Sequence, residues 1–100
     1  MAYDPGALNA SLAAAVGSDS GLMAELREAF IESAARQFDL MSRARCDANW
    51  TIAASRLKSL GASFGASGLA GLADEALDGA PGDPVVLRKI ADAIDDFARV

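Results

Sequence analysis

The chain has 100 residues, of which nine are basic and fourteen acidic, so its formal net charge is −5 at pH 7. A surplus of negative charge repels a phosphate backbone, which argues against nucleic-acid binding. The length is typical of one domain, no charged leader is recognisable, and no apolar run approaches the roughly eighteen residues of a membrane span. We therefore expect one soluble, cytoplasmic domain covering residues 1–100.

The residue composition indicates a helical protein without a cofactor. Alanine, leucine and small residues dominate, whereas β-branched and aromatic residues are scarce, as is typical of helical bundles. Cys46 is the single cysteine and the sequence contains no histidine, so Cys46 lacks a partner for a disulfide and a second ligand for a metal. We expect neither a cofactor nor a metal, and we interpret Cys46 as incidental.

The first predicted helix is short. Asp4 is a suitable cap, and Pro5 suits the first helical position. Gly17 ends the pattern, as glycine commonly does at a helix C-terminus. The apolar residues step by four, which predicts about three turns: Leu8, Leu12 and Val16.

The second predicted helix is the longest and should cover residues 20 to 45. Its solvent side is rich in charges at spacings that predict ion pairs within the helix, Glu32 with Arg36 and Asp39 with Arg43. Three neighbouring residues offer alternative caps: Ser18, Asp19 and Ser20. The buried stripe is predicted at Met23, Leu26, Phe30, Ala34, Phe38 and Met41.

The third predicted helix follows a polar break at residues 45–49, where Asp47 or Asn49 can cap it. It should end near Gly65, which also begins the next turn. Trp50 starts the apolar stripe and is expected to pack in the core. The predicted stripe consists of Trp50, Ala53, Leu57, Leu60 and Phe64.

Two further helices complete the prediction. Gly68 and Gly71 in the fourth suggest close approach of a neighbouring helix. A turn at 79–82 separates it from the fifth, which Asp83 and Pro84 open with another cap and proline. The predicted core positions are Leu69, Leu72, Ala73, Ala76, Leu77, Leu87, Ile90, Ile94 and Phe97.

One short helix followed by four longer ones with brief turns favours an all-α fold. We expect an antiparallel, up-and-down four-helix bundle with the short helix as an N-terminal cap. The adjacent carboxylates Asp74 and Glu75, and likewise Asp95 and Asp96, should diverge on their helices instead of forming a site.

The solvent side of the third helix is the strongest functional candidate. A turn of about 100° per residue places five residues opposite the apolar stripe: Thr51, Ser55, Lys58, Ser59 and Ala62. Most of them are small, so a partner's surface could approach the helix backbone closely there. Arg56 lies at the rim of this side and adds a positive charge there.

The same stretch resembles the signature of the histidine-containing phosphotransfer (HPt) domains of bacterial phosphorelays. The matching residues are Ala54, Leu57, Lys58, Phe64, Gly65, Ala66 and Leu69. The phosphate-accepting histidine of the family falls on Ser55, and Ser59 and Gly61 stand where the family has glycine and usually alanine. The resemblance implies the HPt fold but not the HPt chemistry.

In HPt domains, the histidine exchanges a phosphoryl group with a receiver domain. Ser55 would form a much more stable phosphate ester, and nothing near it on the helix could act as a general base. The resemblance therefore implies a non-enzymatic docking module whose partner is a response-regulator receiver domain or a histidine kinase. The expected docking residues are Thr51, Ser55, Arg56, Lys58, Ser59 and Ala62.

Other interpretations remain open at this stage. The chain could be a phosphorelay protein whose histidine was replaced, or a structural or self-associating bundle outside signalling. Ser55 and Lys58 also form the S-x-x-K pattern of serine acyl-enzymes, but that pattern is short and lacks its companion motifs.

Overall fold

The computed structural model describes residues 5–17 and 19–99, and within these ranges every regular element is a helix. The all-α class predicted from the sequence is therefore confirmed. No helix in the described ranges is long and apolar enough to cross a membrane. The five described helices are α1 (Pro5–Val16), α2 (Ser20–Ser42), α3 (Asp47–Ser63), α4 (Ser67–Asp78) and α5 (Pro84–Arg99).

The four longer helices contact one another in a closed ring. α2 packs against α3 and α5, α4 packs against the same two helices, and α1 lies against α2. The molecule is elongated, with principal extents of 43 × 21 × 20 Å. Because α3 has α2 and α4 as its neighbours, the side of α3 that points away from the ring stays in solvent.

Each helix contributes an apolar stripe to one core. In the described chain no polar or charged residue is buried, as expected where burial of an unpaired charge is costly. Several predicted core residues are only partly buried at the margin of the core: Met23, Leu26, Phe38, Leu60, Phe64, Leu77 and Leu87. Fully buried are Leu8, Leu12, Phe30, Ala34, Met41, Trp50, Ala53, Ala54, Leu57, Ala66, Leu69, Leu72, Ala73, Ala76, Val86, Ile90, Ala93, Ile94 and Phe97.

Two aromatic residues join the helices across the core. The Trp50 side chain is 2% exposed, and its Nε1 donates a hydrogen bond to the Ala76 carbonyl at 3.1 Å, which links α3 to α4. The Phe30 ring lies 5.1 Å from the Phe64 ring and 5.6 Å, edge to face, from the Phe97 ring. Such tilted arrangements suit the charge distribution of aromatic rings. The prediction that Trp50 packs in the core is confirmed.

The caps of α2 and α3 differ in part from the prediction. Asp19 caps α2 and accepts a hydrogen bond from the Leu22 N–H at 3.0 Å. The predicted end of α2 at residue 45 is wrong, because the helix ends at Ser42. The predicted caps Asp47 and Asn49 are also wrong: Cys46 is the N-cap, without a side-chain hydrogen bond, and both residues lie inside α3. An acidic residue in the first turn still favours the helix dipole.

The remaining turns follow the sequence closely. The Asp83 carboxylate accepts a hydrogen bond from the Val85 N–H at 2.9 Å, which confirms the predicted cap of α5. Gly17 and Gly65 adopt positive φ angles of 69° and 73°, a conformation that costs little only for glycine. The predicted caps Asp4 and Ser18 and the side chain of Val16 lie outside the described residues.

One of the two ion pairs predicted on α2 is present. Arg43 Nη2 lies 2.6 Å from Asp39 Oδ2. The predicted pair of Glu32 with Arg36 is wrong, because Arg36 Nη2 instead donates to Ser33 Oγ at 3.2 Å. Exposed pairs of this kind contribute little free energy. Whether Arg36 contacts Glu32 or Ser33 therefore changes the stability of the fold very little.

Candidate functional site

The solvent side of α3 carries all six residues that the sequence analysis singled out. Each of them is exposed, while Trp50, Ala54 and Leu57 on the opposite side of the same helix are buried. Thr51, Ser55, Ser59 and Ala62 succeed one another at helical spacing and form a stripe of small side chains. We call this set the α3 face: Thr51, Ser55, Arg56, Lys58, Ser59 and Ala62.

Lys58 lies at the edge of the α3 face that adjoins α4. Its Nζ is 2.7 Å from Asp74 Oδ1, and both side chains are about half exposed. The pKa of Lys58 is raised above its ordinary value of 10.5, because its ammonium donates a hydrogen bond to Asp74 and is attracted by that charge, with a smaller attraction from Asp78. The pair directs the Lys58 ammonium toward α4, although an exposed pair of this kind contributes little free energy.

Gly61 explains how α3 and α4 come close enough for this pair. A Cβ atom at Gly61 would lie 3.0 Å from the Ala70 nitrogen and 3.2 Å from the Ala66 carbonyl oxygen. Both are backbone atoms, which cannot move aside as a flexible side chain can. The glycine that stands at an alanine position of the resemblance thus has a packing role. The close approach predicted at Gly68 and Gly71 stays a prediction, although Gly68 is buried.

The two neighbouring carboxylates of α4 point to different helices. Asp74 pairs with Lys58 of α3, whereas Glu75 Oε1 lies 2.9 Å from Lys89 Nζ of α5. The divergence expected from their adjacent positions is therefore present. In the described part of the chain, no group of three or more cysteine and acidic residues is placed to hold a metal ion.

Arg56 lies at the other edge of the α3 face, beside an open groove. This groove runs between the end of α2, with the segment that follows it, and the first half of α3, and it has a volume of about 950 Å³. We call it the α2–α3 groove. Its lining residues are Leu40, Ser42, Arg43, Ala44, Arg45, Asn49, Ile52, Ala53 and Arg56.

The sequence analysis did not identify the α2–α3 groove. Leu40 and Ile52 were not assigned to any predicted stripe, and they are 45% and 49% exposed. An apolar residue that falls off the buried stripe of a helix was the signal that could have revealed it. The closeness of Arg45 to Ile52 depends on the loop between the helices, which periodicity does not describe.

The chemistry available at Ser55 is limited. In the described structure, no acidic or basic side chain forms a hydrogen bond with Ser55, and Lys58 one turn further on is held by Asp74. A serine hydroxyl needs an adjacent base to act as a nucleophile.

Compared with models of protein families, with curated proteins and with solved structures, the chain shows no significant match.

Proposed function

We propose that this protein is an HPt-like docking module of two-component signalling, which binds a response-regulator receiver domain or a histidine kinase and accepts no phosphoryl group. The proposed architecture is an antiparallel, up-and-down four-helix bundle with α1 as a cap. The closed ring of contacts among four helices joined by short turns supports it, and so does the resemblance around Ser55 to the HPt signature.

The observation that carries the proposal is the α3 face itself. Thr51, Ser55, Ser59 and Ala62 form a strip of small side chains on the exposed side of α3, and the exposed Ile52 lies beside it toward Arg56. Small side chains let a partner helix or loop approach the backbone. The positively charged side chains of Lys58 and Arg56 border the strip on opposite edges, so a partner with acidic groups around its contact surface would be complementary.

The pair of Lys58 with Asp74 gives this surface a defined geometry. Asp74 occupies one direction around the ammonium, and the remaining donors of Lys58 are free to point away from α4. An ammonium that is already positioned loses less side-chain entropy when it meets a partner's carboxylate. Asp74 therefore prepares Lys58 for binding and at the same time competes with the partner for it.

The experiment that tests this proposal is a binding titration of the unmodified protein against the receiver and kinase domains of its source organism. The same titration is repeated with Lys58→Glu and with the matched control Lys89→Glu. Lys89 is also about half exposed and paired with a carboxylate of α4, but it lies away from the α3 face. The proposal expects Lys58→Glu to weaken binding about tenfold or more and Lys89→Glu to leave it unchanged.

A second pair of variants tests the need for small residues. Ala62→Trp places a bulky side chain on the α3 face, whereas Ala35→Trp places it at an exposed position of α2. Only Ala62→Trp should abolish binding, because it prevents close approach. Absence of binding to every receiver and kinase domain, or equal effects of both tryptophans, would reject the proposal. Transfer of a phosphoryl group from a phosphorylated receiver to the wild-type protein would also contradict it.

A further inference from the structure

We propose that the α2–α3 groove binds an acidic amphipathic helix of a partner protein. The groove combines positive charge with exposed apolar surface in one place, although the molecule as a whole is acidic. Its volume of about 950 Å³ is at the upper end of the range for small-molecule pockets, and it is open enough to receive one face of a helix rather than an enclosed ligand.

The charge of the groove comes from three arginines. Arg43, Arg45 and Arg56 all line it, although the chain as a whole carries a net charge of −5. Arg43 is paired with Asp39 at 2.6 Å, but among the described residues neither Arg45 nor Arg56 has an ion pair. Two guanidinium groups without a carboxylate of their own chain are complementary to carboxylates of another chain.

The apolar residues of the groove favour an acidic amphipathic helix over a small anion such as phosphate. Leu40 and Ile52 are 45% and 49% exposed and lie on the two helices that flank the groove. A phosphate ion would pair with the arginines and leave both side chains in water. A helix with an apolar stripe at i, i+3 or i+4 and i+7 would bury them while its acidic flanks reach Arg45 and Arg56.

The groove is separate from the proposed function, on which this inference does not rest. Arg56 belongs to both the groove and the α3 face, and Ile52 is a helical neighbour of Ser55, whereas Arg45 belongs to the groove only. Arg45→Glu therefore reports on the groove alone, and Lys58→Glu reports on the α3 face. If the α3 face binds no signalling partner, peptide binding in the α2–α3 groove can still be tested, and the reverse also holds.

The test uses a synthetic, fluorescein-labelled peptide of about fourteen residues that is rich in glutamate and has leucines at helical spacing. Fluorescence anisotropy measures its affinity for the full chain and for Arg45→Glu and Ile52→Ser. The matched controls are Arg88→Glu and Val85→Ser, two exposed residues of α5 outside the groove. We expect both groove variants to weaken binding about tenfold and both controls to change it less than about twofold.

Three further arms identify the ligand class. A peptide of the same composition with the leucines scattered around the helix should bind at least about tenfold more weakly. Inorganic phosphate at millimolar concentration should not displace the amphipathic peptide. Added salt should weaken the interaction, because charges at the rim are screened.

Several results would overturn the inference. These are no binding of the amphipathic peptide, equal binding of the scattered peptide, displacement by phosphate, and equal loss of binding in the groove and control variants. A dimer in analytical ultracentrifugation that Ile52→Ser dissociates and Val85→Ser does not would also overturn it, because the occupant would then be a second copy of this chain. Circular dichroism of every variant confirms that the helices remain formed.

Discussion

Gln37 illustrates, at the scale of single residues, how packing and polarity conflict in α2. It lies between the buried residues Ala34 and Met41, and its Oε1 atom is buried without a hydrogen-bond partner. A buried polar atom without a partner loses its hydration and gains nothing in exchange, which costs about 1–3 kcal/mol.

We predict that Gln37→Met raises the free energy of unfolding by about 1 kcal/mol, because methionine has a similar shape without the polar amide. Urea unfolding followed by circular dichroism measures the change. Arg36→Met, at the exposed neighbouring position, is the control and should change stability by less than about 0.5 kcal/mol. A loss of stability in Gln37→Met would show that the amide is satisfied in solution.

A second prediction at this scale concerns Lys58 and pH. Because the pKa of Lys58 is raised above 10.5 by Asp74, the pair stabilises the fold fully below the unfolded-state pKa. This contribution is lost as the pH rises through the higher folded-state pKa. The difference in free energy of unfolding between wild type and Lys58→Met should therefore shrink over that alkaline range.

Nuclear magnetic resonance titration of the Lys58 side chain checks the cause. The folded wild type should titrate above 10.5, and Asp74→Asn should lower the midpoint because it removes both the hydrogen bond to a charged acceptor and the attraction. An unchanged midpoint in Asp74→Asn would mean that the pair is not populated in solution.

At the scale of helices, the contact between α3 and α4 depends on Gly61. The backbone of α4 fills the space that a side chain would need, and the nearest atoms to a Cβ are Ala70 N, Ala66 O and Ala70 Cα at 3.0, 3.2 and 3.3 Å. This contact brings Lys58 within reach of Asp74 and so shapes one edge of the α3 face. Trp50, through its hydrogen bond to Ala76, fixes the same two helices nearer the other end of α3.

We predict that Gly61→Ala lowers the free energy of unfolding by about 1–3 kcal/mol, although alanine is the better helix former by about 1 kcal/mol. The control is Gly21→Ala near the start of α2, where a Cβ would lie 3.5 Å from Asp19 Oδ1, an ordinary contact. That substitution should be neutral or stabilising by up to about 1 kcal/mol. Thermal unfolding of both variants measures the two changes in stability. Stabilisation by Gly61→Ala would contradict the close contact of Gly61 with the Ala70 backbone.

At the scale of the whole molecule, Phe30 connects helices that are distant in sequence. From α2 it contacts Phe64, just after α3, and Phe97 near the end of α5. The closure of the ring between α2 and α5 therefore includes an aromatic contact of residues far apart in the chain. Domains of this size have a total stability of about 5–15 kcal/mol, so losing one buried aromatic side chain, at about 3–5 kcal/mol, would remove a large fraction of it.

We predict that Phe30→Ala lowers the free energy of unfolding by about 3–5 kcal/mol and that Phe30→Leu costs clearly less. Leu22→Ala, at a 44% exposed position of the same helix, should cost less than about 1 kcal/mol. Circular dichroism and Trp50 fluorescence should shift together, because Trp50 reports on α3 and α4. If the Trp50 transition stayed at its wild-type position, the helices would not unfold as one cooperative unit.

The sequence by itself determined the helices, most of their ends and the solvent side of α3. Apolar spacing identified the buried side of each long helix, and local rules placed Asp83, Gly17 and Gly65 at their turns. They left Asp19 as one of three alternative caps, from which the structure selects it. These features depend on residues within a few positions of each other, so periodicity and backbone preference were sufficient. The same local reasoning failed at Asp47 and Asn49, because several neighbouring residues could begin the helix and Cys46 is the N-cap.

The tertiary structure decided what depends on residues far apart in the chain. The pairing of Lys58 with Asp74, the role of Gly61 against Ala70 and the meeting of Arg45 with Ile52 in one groove all require a particular arrangement of neighbouring helices. A helical pattern gives the direction of a side chain around its own axis but not the distance to the next helix. Which polar groups meet, and which apolar residues stay in solvent, is therefore fixed only when the helices pack.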